Sequence, residues 1–485
     1  MMPHRVVIAT LIATLLSGCF TLGPDYRRQA IDTPDAWPAP TTAASVPAEW
    51  WRGYHDPTLE AMIDEALVHN ADLRLAIARV DEARASLGVA RADQWPGVSA
   101  NGSASRSRAS EESALNPRQG ADPIYNNVRA TLDASYEIDF WGKYRRATEA
   151  ARAELLATQF NRDAVRLALI ADVSRGYFNL RSLDAQVAIT RRTVSTRLAS
   201  LSLQRQRFAA GVASELELRQ VEAEAAAAQA LLPALETQLA RQETALSVLL
   251  GRSPRAIVGS TPERGAAIEA LTVPPAVPAG LPSDLLEHRP DLRQAEQQLI
   301  AANARIGQAK AAFFPSISLT GLLGGESTKL ADLFSAPARI WQVSGSAAQT
   351  VFDAGRTGSR VKAAKAREQQ ALAQYQAAIQ NAFRDTLDAL VAQRKARETL
   401  DAEQARVNAL ESALNLGRLR YENGVASQLD VLDAERGLLA AELNRVEAQR
   451  AQLTATADLF KALGGGWESD RQSAEQTASA AGAGG

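Results

Sequence analysis

The chain has 485 residues, of which 53 are lysine or arginine and 55 are aspartate or glutamate, and its net charge of −2 gives no reason to expect a nucleic-acid partner. Hydrophobic residues make up 46% of the sequence and aromatic residues only 5%, a composition typical of long alanine-rich helices packed side by side rather than of a conventional globular core. A single cysteine excludes an intrachain disulfide.

The N-terminus predicts an exported lipoprotein. A basic dipeptide, His4-Arg5, precedes an apolar run over 6–16 that is too short to span a bilayer and is typical of a secretory signal. The next residues, Leu16-Ser17-Gly18-Cys19, resemble the bacterial lipobox, in which the signal is removed and the thiol accepts a lipid. We therefore predict a signal peptide over 1–18 and a lipid-modified Cys19. The alternative is a reduced, buried cysteine.

The mature chain is expected to reach the outer membrane. Phe20 follows the cysteine, and a residue other than aspartate at this position permits export to that membrane. No other segment reaches the roughly 20 apolar residues of a membrane helix, so any membrane-spanning part is expected to be β. An extended segment over 19–57 precedes the first regular element.

A helix followed by a β-hairpin is predicted next. Apolar residues at helical spacing indicate a helix over 58–92, which Trp95-Pro96 ends. Between Asn127 and Phe140 apolar and polar residues alternate without a break, and with the alternation after Pro96 they predict a β-hairpin over 97–140. The second strand is longer than the roughly 9 to 11 residues with which a tilted strand crosses a bilayer.

The two faces of that strand indicate a water-filled membrane barrel, because such a barrel is apolar outside and polar inside. We predict that the charged residues line the lumen. They are Arg129, Asp133, Glu137 and Asp139. The alternative is that they face solvent in a soluble sheet.

A long helical hairpin is predicted over 142–251. No proline interrupts the pattern between Gly142 and Ala209, which gives a helix of roughly 100 Å at 1.5 Å per residue. The return helix carries apolar residues at intervals of seven, the spacing of a coiled coil. Pro233 predicts a kink in this hairpin alone. The proline- and glycine-rich stretch over 255–283 is expected to be a connector in an equatorial region.

The same plan is then repeated. The residues from Arg207 to Leu216 recur from Arg420 to Leu429, with an offset of 213 (424 − 211). This period far exceeds the roughly 20 to 50 residues of solenoid repeats, so the duplicated unit is a domain-sized module. The predicted boundaries are a first repeat over 58–254, a second over 284–466 with a β-hairpin over 316–353 and a helical hairpin over 355–464, and a disordered tail over 467–485.

Four strands per chain cannot close a barrel, and an open sheet edge cannot face lipid. Three chains with twelve strands are the smallest arrangement that leaves a channel, since eight strands close too narrowly. The predicted fold class is therefore mainly α with a transmembrane β part. Duplicated long coiled-coil helical hairpins accompany four strands per chain, and a trimer closes a twelve-stranded barrel.

The repeated motif predicts a tight helical tip near residues 211 and 424. Gly211 and Gly424 suit the left-handed residue that ends a helix, while Ser214-x-x-Glu217 and Ser427-x-x-Asp430 have the pattern of capping boxes that start the next one. About 65 residues separate each tip from the strands, so the tips are expected at the far end from the membrane, where another protein would be met.

The chain resembles the outer-membrane factor family of TolC-type channels, and within it the OprM/NodT-like efflux lipoproteins, from Cys19 to Trp467. The residues that carry the resemblance are the lipobox, Gly23-Pro24-Asp25-Tyr26, Trp50-Trp51, Asp56-Pro57-Thr58-Leu59, Arg289-Pro290-Asp291-Leu292, Phe352-Asp353-Ala354-Gly355-Arg356, Arg420-Tyr421 through Gly424, and Lys461-Ala462-Leu463-Gly464-Gly465-Gly466-Trp467. The resemblance implies a homotrimer with a periplasmic α-barrel. Its tips would dock a periplasmic adaptor linked to an inner-membrane pump of the RND type, and it would export small molecules through an iris gate.

The resemblance also places the gate at the second tip. Leu429 would supply an apolar ring, and Asp433 and Arg436, three residues apart on one helical face, would form a charge pair. The alternative is an ordinary exposed helix pair worth less than about 1 kcal/mol. Asp430 resembles an acidic gate position, although its place in the capping box explains it equally well.

Adaptor docking is assigned to equivalent residues of the two tips. They are Arg207, Gly211 and Val212 in the first and Arg420, Gly424 and Val425 in the second. The alternative for the glycines is that they only turn the chain.

Three other functions compete with the channel. His55, His69 and His288 show no metal-ligand spacing and no catalytic motif is present, so we expect no enzyme, no metal and no cofactor beyond the lipid on Cys19. A periplasmic adaptor lipoprotein is a second candidate, although adaptors have a single hairpin and short strands. A duct for type I protein secretion is a third.

Overall fold

The computed structural model describes residues 21–28, 31–32, 34, 47–110, 123–274 and 285–465. The predicted signal peptide, Cys19 and the C-terminal tail lie outside the described residues. Within these ranges the chain is mainly helical and contains one antiparallel sheet of four strands in the order β1-β2-β3-β4. The predicted combination of long helical hairpins and four strands is confirmed.

The elements alternate between helices and β-hairpins along the chain. They are α1 Pro57–His69, α2 Ala71–Ala92, β1 Gly97–Arg108, β2 Ile124–Ile138, α3 Lys143–Ala209, α4 Glu215–Leu249, α5 Pro254–Gly259, α6 Leu285–His288, α7 Pro290–Ala311, β3 Ser316–Ser327, β4 Arg339–Ala348, α8 Arg356–Glu422 and α9 Gln428–Ala462. No helix within the described ranges combines the length and the apolar character needed to cross a bilayer.

The duplication appears as helices of equal length. The outgoing helices α3 and α8 each have 67 residues, and the return helices α4 and α9 each have 35. At 1.5 Å per residue the outgoing helices are about 100 Å long, as predicted. Pro233 lies inside α4 without ending it; the kink stays a prediction.

The single helix predicted over 58–92 is wrong, because Asn70 divides it. Asn70 has an extended backbone, and its side-chain oxygen accepts from the Leu73 amide at 3.0 Å, which caps the start of α2. Its side-chain amide donates to the Leu249 carbonyl at 3.0 Å. The apolar spacing continues across the break, so periodicity alone did not reveal it.

The register of the sheet places apolar residues of all four strands on one face. Ala100 pairs with Leu132, Leu132 with Leu323, and Leu323 with Trp341. Because side chains alternate along a strand, most polar residues of the four strands share the other face. Leu322 and Ile340 are apolar residues on that polar face. Polar residues also occur at the far end of the apolar face, namely Arg106, Arg108, Asn126, Ser327 and Arg339. The outer edges of β1 and β4 have no partner strand in the described chain.

Two strands end earlier than predicted, at Ile138 rather than Phe140 and at Ala348 rather than Asp353. An aspartate beyond each strand binds the start of the following helix. The Asp139 carboxylate accepts from the amides of Tyr144 and Arg145 at 3.2 and 2.8 Å. The Asp353 carboxylate accepts from the amide of Thr357 at 2.7 Å.

The chain forms two compact units that cut across the two repeats. Unit 1 combines the described parts of 1–30, 80–158 and 295–375, and it contains the sheet; unit 2 takes the rest. Each unit therefore contains parts of both repeats, so a repeat is not by itself a compact body.

In unit 1 the N-terminal residues 21–28, here called the strap, bind along α7 and the start of α3. The Leu22 amide donates to the Trp141 carbonyl at 3.2 Å, and Arg146 donates to the Leu22 carbonyl at 3.2 Å and to Asp25 at 2.6 Å. Further along, Arg28 donates both its Nε and its Nη2 to Glu296, at 2.7 and 2.6 Å. The strap is thus bonded at both of its ends.

Unit 2 has its core around a buried carboxylate, Asp56, whose relative exposure is 1%. Asp56 accepts from the Thr58 and Leu59 amides, capping α1, from the Tyr177 hydroxyl at 2.6 Å and from the Ala266 amide at 3.2 Å. One residue thereby joins the first helix, the long helix α3 and the connector.

The close contact between the strap and Gly307 can be tested by a single substitution. Gly307 lies against it so closely that a Cβ there would overlap the Leu22 carbonyl oxygen, whereas a Cβ at Gly88, its counterpart in the first repeat, would meet nothing within 4 Å. Gly307→Ala should release the strap, because overpacking of this kind costs about 1 to 3 kcal/mol. Trypsin should cleave the native protein at Arg27 and Arg28 roughly tenfold faster for each 1.4 kcal/mol by which the binding of the strap is weakened.

Gly88→Ala is the matched control, since it makes the same change in a helix and should leave cleavage unchanged. Equal cleavage rates in the two variants would show that the strap does not depend on the Gly307 contact.

Candidate functional site at the helical hairpin tips

The two tips have the same backbone. Gly211 and Gly424 have φ angles of +72° and +74°. The amides of the next residues, Val212 and Val425, donate to the carbonyls of Arg207 and Arg420 at 2.9 Å in both cases. This pattern ends a helix with a left-handed glycine. A Cβ on either glycine would meet nothing within 4 Å, so it is the backbone angle that favours glycine, and the space beside it is open.

Both predicted capping boxes are present. In the second, the Asp430 carboxylate accepts from the Ser427 amide and hydroxyl, each at 2.9 Å. These hydrogen bonds, first the one from the backbone amide, lower the pKa of Asp430 because they stabilise its ionised form. The contacts support the capping role of Asp430.

Apolar side chains are exposed at matching positions of both tips. Leu203, Val212 and Leu216 in the first tip correspond to Leu416, Val425 and Leu429 in the second, and all six are exposed. Six exposed apolar residues in a matched pattern indicate a binding surface rather than scattered exposure. The sequence pattern did not assign Leu203 and Leu416 to this surface, because each also fits the apolar spacing of its helix.

The equivalent arginines Arg207 and Arg420 have different partners. Arg207 donates to the Tyr421 hydroxyl at 2.8 Å and lies over its ring, 5.6 Å from the centroid. The Arg420 guanidinium instead approaches the Val425 carbonyl of its own tip at 3.5 Å. Arg207 therefore links the first tip to the second, a contact that the repeat pattern alone did not predict.

Arg436 lies between two acidic groups. The predicted pair with Asp433 is present at 3.3 Å, but the Arg436 guanidinium also binds Glu224 of the first hairpin, through Nε at 3.2 Å and through Nη2. The Asp433 side chain is 71% exposed and that of Glu224 only 14%. Because solvent screens exposed pairs, Glu224 is the stronger partner.

Glu224 also binds within its own hairpin. Arg197, whose exposure is 5%, donates to the Glu224 carboxylate at 3.0 Å and to its carbonyl at 2.8 Å. Glu224 thus bridges Arg197 of the first hairpin and Arg436 of the second. We call these three residues the Glu224 bridge. The sequence did not reveal it, because its partners are far apart along the chain.

An apolar cluster supports the bridge. Leu432 of the second hairpin is buried among four residues of the first. These are Leu201, Leu218, Val221 and Ala225. Leu429, predicted as an apolar ring residue, stays half exposed at 50%. Leu432, one helical turn further on, packs between the hairpins, and the ring at Leu429 stays a prediction.

Three of the four predicted lumen residues lie on the polar face of the sheet. Arg129 approaches Glu326 at 3.9 Å, Asp133 accepts from Asn101 at 2.7 Å, and Glu137 pairs with Lys143 at 3.0 Å. The prediction that Asp139 lies on the polar face of β2 is wrong, because Asp139 follows the end of β2 and caps α3.

Comparison with known proteins fits this architecture. The family model described as "Outer membrane efflux protein" matches residues 62–252 and 281–465. The toluene efflux pump outer membrane protein TtgC of Pseudomonas putida is 35% identical over 487 residues, covering 99% of each chain. The cation efflux system protein CusC of Escherichia coli is 33% identical over 463 residues, covering 94% of this chain and 98% of that one.

A solved structure agrees with the fold. The CmeC outer membrane channel of Campylobacter jejuni matches with a TM-score of 0.88 and 26% identity, covering 94% of this chain and 98% of that one. The fold and the two-faced sheet define an outer-membrane channel. The chain belongs to the outer membrane efflux protein family, so the predicted family, efflux function and outer-membrane location are confirmed.

The capping contacts of Asp430 separate its two possible roles. Asp430→Asn keeps an oxygen that can accept the Ser427 amide but removes the charge. If Asp430 caps its helix, this variant should keep wild-type single-channel conductance and wild-type amide exchange at the tip. Asp430→Ala should speed exchange there, because losing an N-terminal cap destabilises the first turn. A conductance change in Asp430→Asn would instead support an electrostatic gate.

Proposed function

We propose that the chain is the exit duct of a tripartite efflux system. Three copies would form the channel, their helical tips would meet a periplasmic adaptor, and an inner-membrane pump of the RND type would supply the cargo. Because the family consists of channels, we propose no catalytic activity and no metal or cofactor requirement.

The observation that carries the proposal is the register of the sheet. One face is mainly apolar across all four strands, and the edges of β1 and β4 are open in the described chain. Unpaired edge groups are costly in lipid, so the edges must pair with other strands. Three chains supply twelve strands, enough to close a barrel around a water-filled lumen lined by Arg129, Asp133 and Glu137.

We propose that Cys19 carries the lipid anchor, a diacylglycerol with an added palmitate. The support is the lipobox together with the strap, which begins two residues later and is bonded to α3 and α7. A covalent lipid on a segment held in this way would keep the anchor close to unit 1.

The assembly is tested by electrophoresis and conductance. Unheated protein should migrate as a trimer and heated protein as a monomer, and planar bilayers should show discrete channels. Cys19→Ser should lose labelling by radioactive palmitate. A monomer without conductance would contradict the channel, whereas missing lipid label with normal conductance would contradict only the anchor.

We propose that the matched apolar residues of the tips bind the adaptor, twice per chain. Placing a charge in such a contact should abolish it. The double variant Val212→Asp with Val425→Asp should co-purify at least about tenfold less adaptor after cross-linking in cells, since a buried unpaired charge costs more than the roughly 1.4 kcal/mol of a tenfold change.

Val258→Asp is the control for that variant. Val258 is also a highly exposed valine but lies in the connector helix α5. Both proteins should still form trimers, and equal adaptor recovery from the two would exclude the tips as the docking surface.

We propose that the Glu224 bridge holds the tips closed. Opening must separate the second hairpin from the first, and this breaks the contact between Arg436 and Glu224 and exposes Leu432. Gln220 and Ala223 stand where Asp433 and Arg436 stand in the second hairpin, so the bridge exists once per chain.

Glu224→Gln should raise the open probability severalfold in single-channel recordings, because Arg436 and Arg197 lose their shared negative partner. Asp433→Ala should have a smaller effect, since Asp433 is the more exposed partner. Glu222→Gln is the matched control: its carboxylate binds Arg205 and Arg219 of the same hairpin. An equal rise in Glu222→Gln would contradict a gate at the bridge.

The cargo is expected to be chosen by the pump rather than by the duct. Relatives of similar identity to this chain are named for toluene and for cations. Two ducts similar to this chain are therefore named for chemically different cargoes.

A further inference from the structure

The connection between β3 and β4, residues 328–338, is an ordered loop. Two 3-10 turns, Leu330–Asp332 and Ala336–Ala338, shape it. Backbone amides of Leu333, Ser335 and Ala338 each donate to the carbonyl three residues earlier, at 3.0 to 3.3 Å. A loop with repeated internal hydrogen bonds presents its side chains in fixed directions.

The loop folds back onto the sheet. Leu333 is 4% exposed, and its side chain and carbonyl lie over Gly325, where a Cβ would overlap the carbonyl oxygen. Gly325 pairs with Ala130, two residues from Leu132 on β2, so alternation places it on the apolar face. The loop therefore covers one end of that face.

Two large apolar side chains nevertheless point away from the loop. Phe334 is 85% exposed and Leu330 is 70% exposed. They lie at the same end of the sheet as the exposed residues Leu323, Trp341 and Val343 of the apolar face. A patch of large exposed apolar side chains grouped in this way indicates a binding surface.

Cationic residues flank the patch. Lys329 precedes Leu330 and Arg339 follows the second turn, whereas Asp332 is the one acidic residue of the loop, so the loop and Arg339 together carry a net positive charge. Such side chains can lay their apolar stems along a membrane while their charges reach anionic headgroups. The connection of the first β-hairpin differs in composition, since residues 109–123 include Glu111 and Glu112 and no aromatic residue.

We propose that loop 328–338 anchors the channel in the outer leaflet of the outer membrane. Leu330 and Phe334 enter the boundary between acyl chains and headgroups, and Lys329 and Arg339 bind lipid phosphates. The proposal rests on the membrane-spanning role proposed for the sheet. The end that carries this loop is opposite the end where α7 enters and α8 leaves, so with the helices in the periplasm the loop faces outward.

The choice of lipid follows from two features. The patch continues the apolar face that would meet the acyl chains, and the flanking charges complement phosphate. A second copy of the channel is the alternative occupant, because Glu111 and Glu112 in the connection of the first hairpin would be acidic partners for Lys329 and Arg339. Contact between copies would appear as dipolar coupling between labels in separate trimers.

The experiment uses the full-length trimer with a spin label on Phe334→Cys, reconstituted in phosphatidylcholine vesicles with and without lipid A. The electron-spin relaxation of the label on Phe334→Cys should be accelerated more by oxygen, which concentrates in lipid, than by a water-soluble nickel chelate. Ser110→Cys, in the connection of the first hairpin, should show the reverse. The unsubstituted protein is treated with the same spin label as a control for any label that binds to Cys19.

Adding lipid A should move the label at position 334 deeper into the membrane. The double substitution Lys329→Glu with Arg339→Glu should abolish that increase in depth. A label at 334 that is more accessible to nickel would overturn the proposal, as would dipolar coupling between separate trimers. An unchanged depth on adding lipid A would exclude binding of the lipid A phosphates. Conductance is recorded from the same vesicles, so a failed channel is distinguished from a failed anchor.

Discussion

The rest of this structure depends on the pairing register of the four strands. Ala100, Leu132, Leu323 and Trp341 form one row across the sheet, and a slip by one residue in any strand would move its apolar residues to the polar face. The register is shared by two hairpins from different repeats, joined where β2 pairs with β3. The duplicated halves therefore cannot form separate sheets, and the two compact units each combine parts of both.

The departures from the repeat are as informative as the repeat itself. In the first hairpin Arg197 and Glu224 form an ion pair between the two helices; at the same offset in the second hairpin stand Leu410 and Gly437, and a Cβ on Gly437 would lie 3.2 Å from Leu410. The second hairpin therefore has no ion pair at this position. Glu224 can thus accept Arg436 from the neighbouring hairpin, and the single bridge makes the two hairpins unequal.

A similar inequality exists in unit 1. The strap occupies the surface at Gly307, whereas a Cβ placed on Gly88, at the matching surface, would have nothing within 4 Å. A single N-terminal segment cannot bind both repeats, so duplication of the helices leaves one of two related surfaces without this partner. The same logic applies to the β-hairpin connections, of which one is apolar and folded back and the other is rich in polar residues.

The sequence by itself determined the duplication, the helix lengths, the two-faced strands, the glycine tips and the capping boxes, because each depends on residues close together in the chain or on a period that can be counted. It also indicated the family, through short motifs spread from Cys19 to Trp467. It did not determine the break at Asn70, the helix-capping role of Asp139 or the early end of β4, since periodicity continues past these points. Only the tertiary structure decided that Arg436 binds Glu224, that Leu432 rather than Leu429 packs between hairpins, and that the strap lies at Gly307. Those contacts join residues more than 200 positions apart, and no local spacing encodes which distant side chain will be the partner.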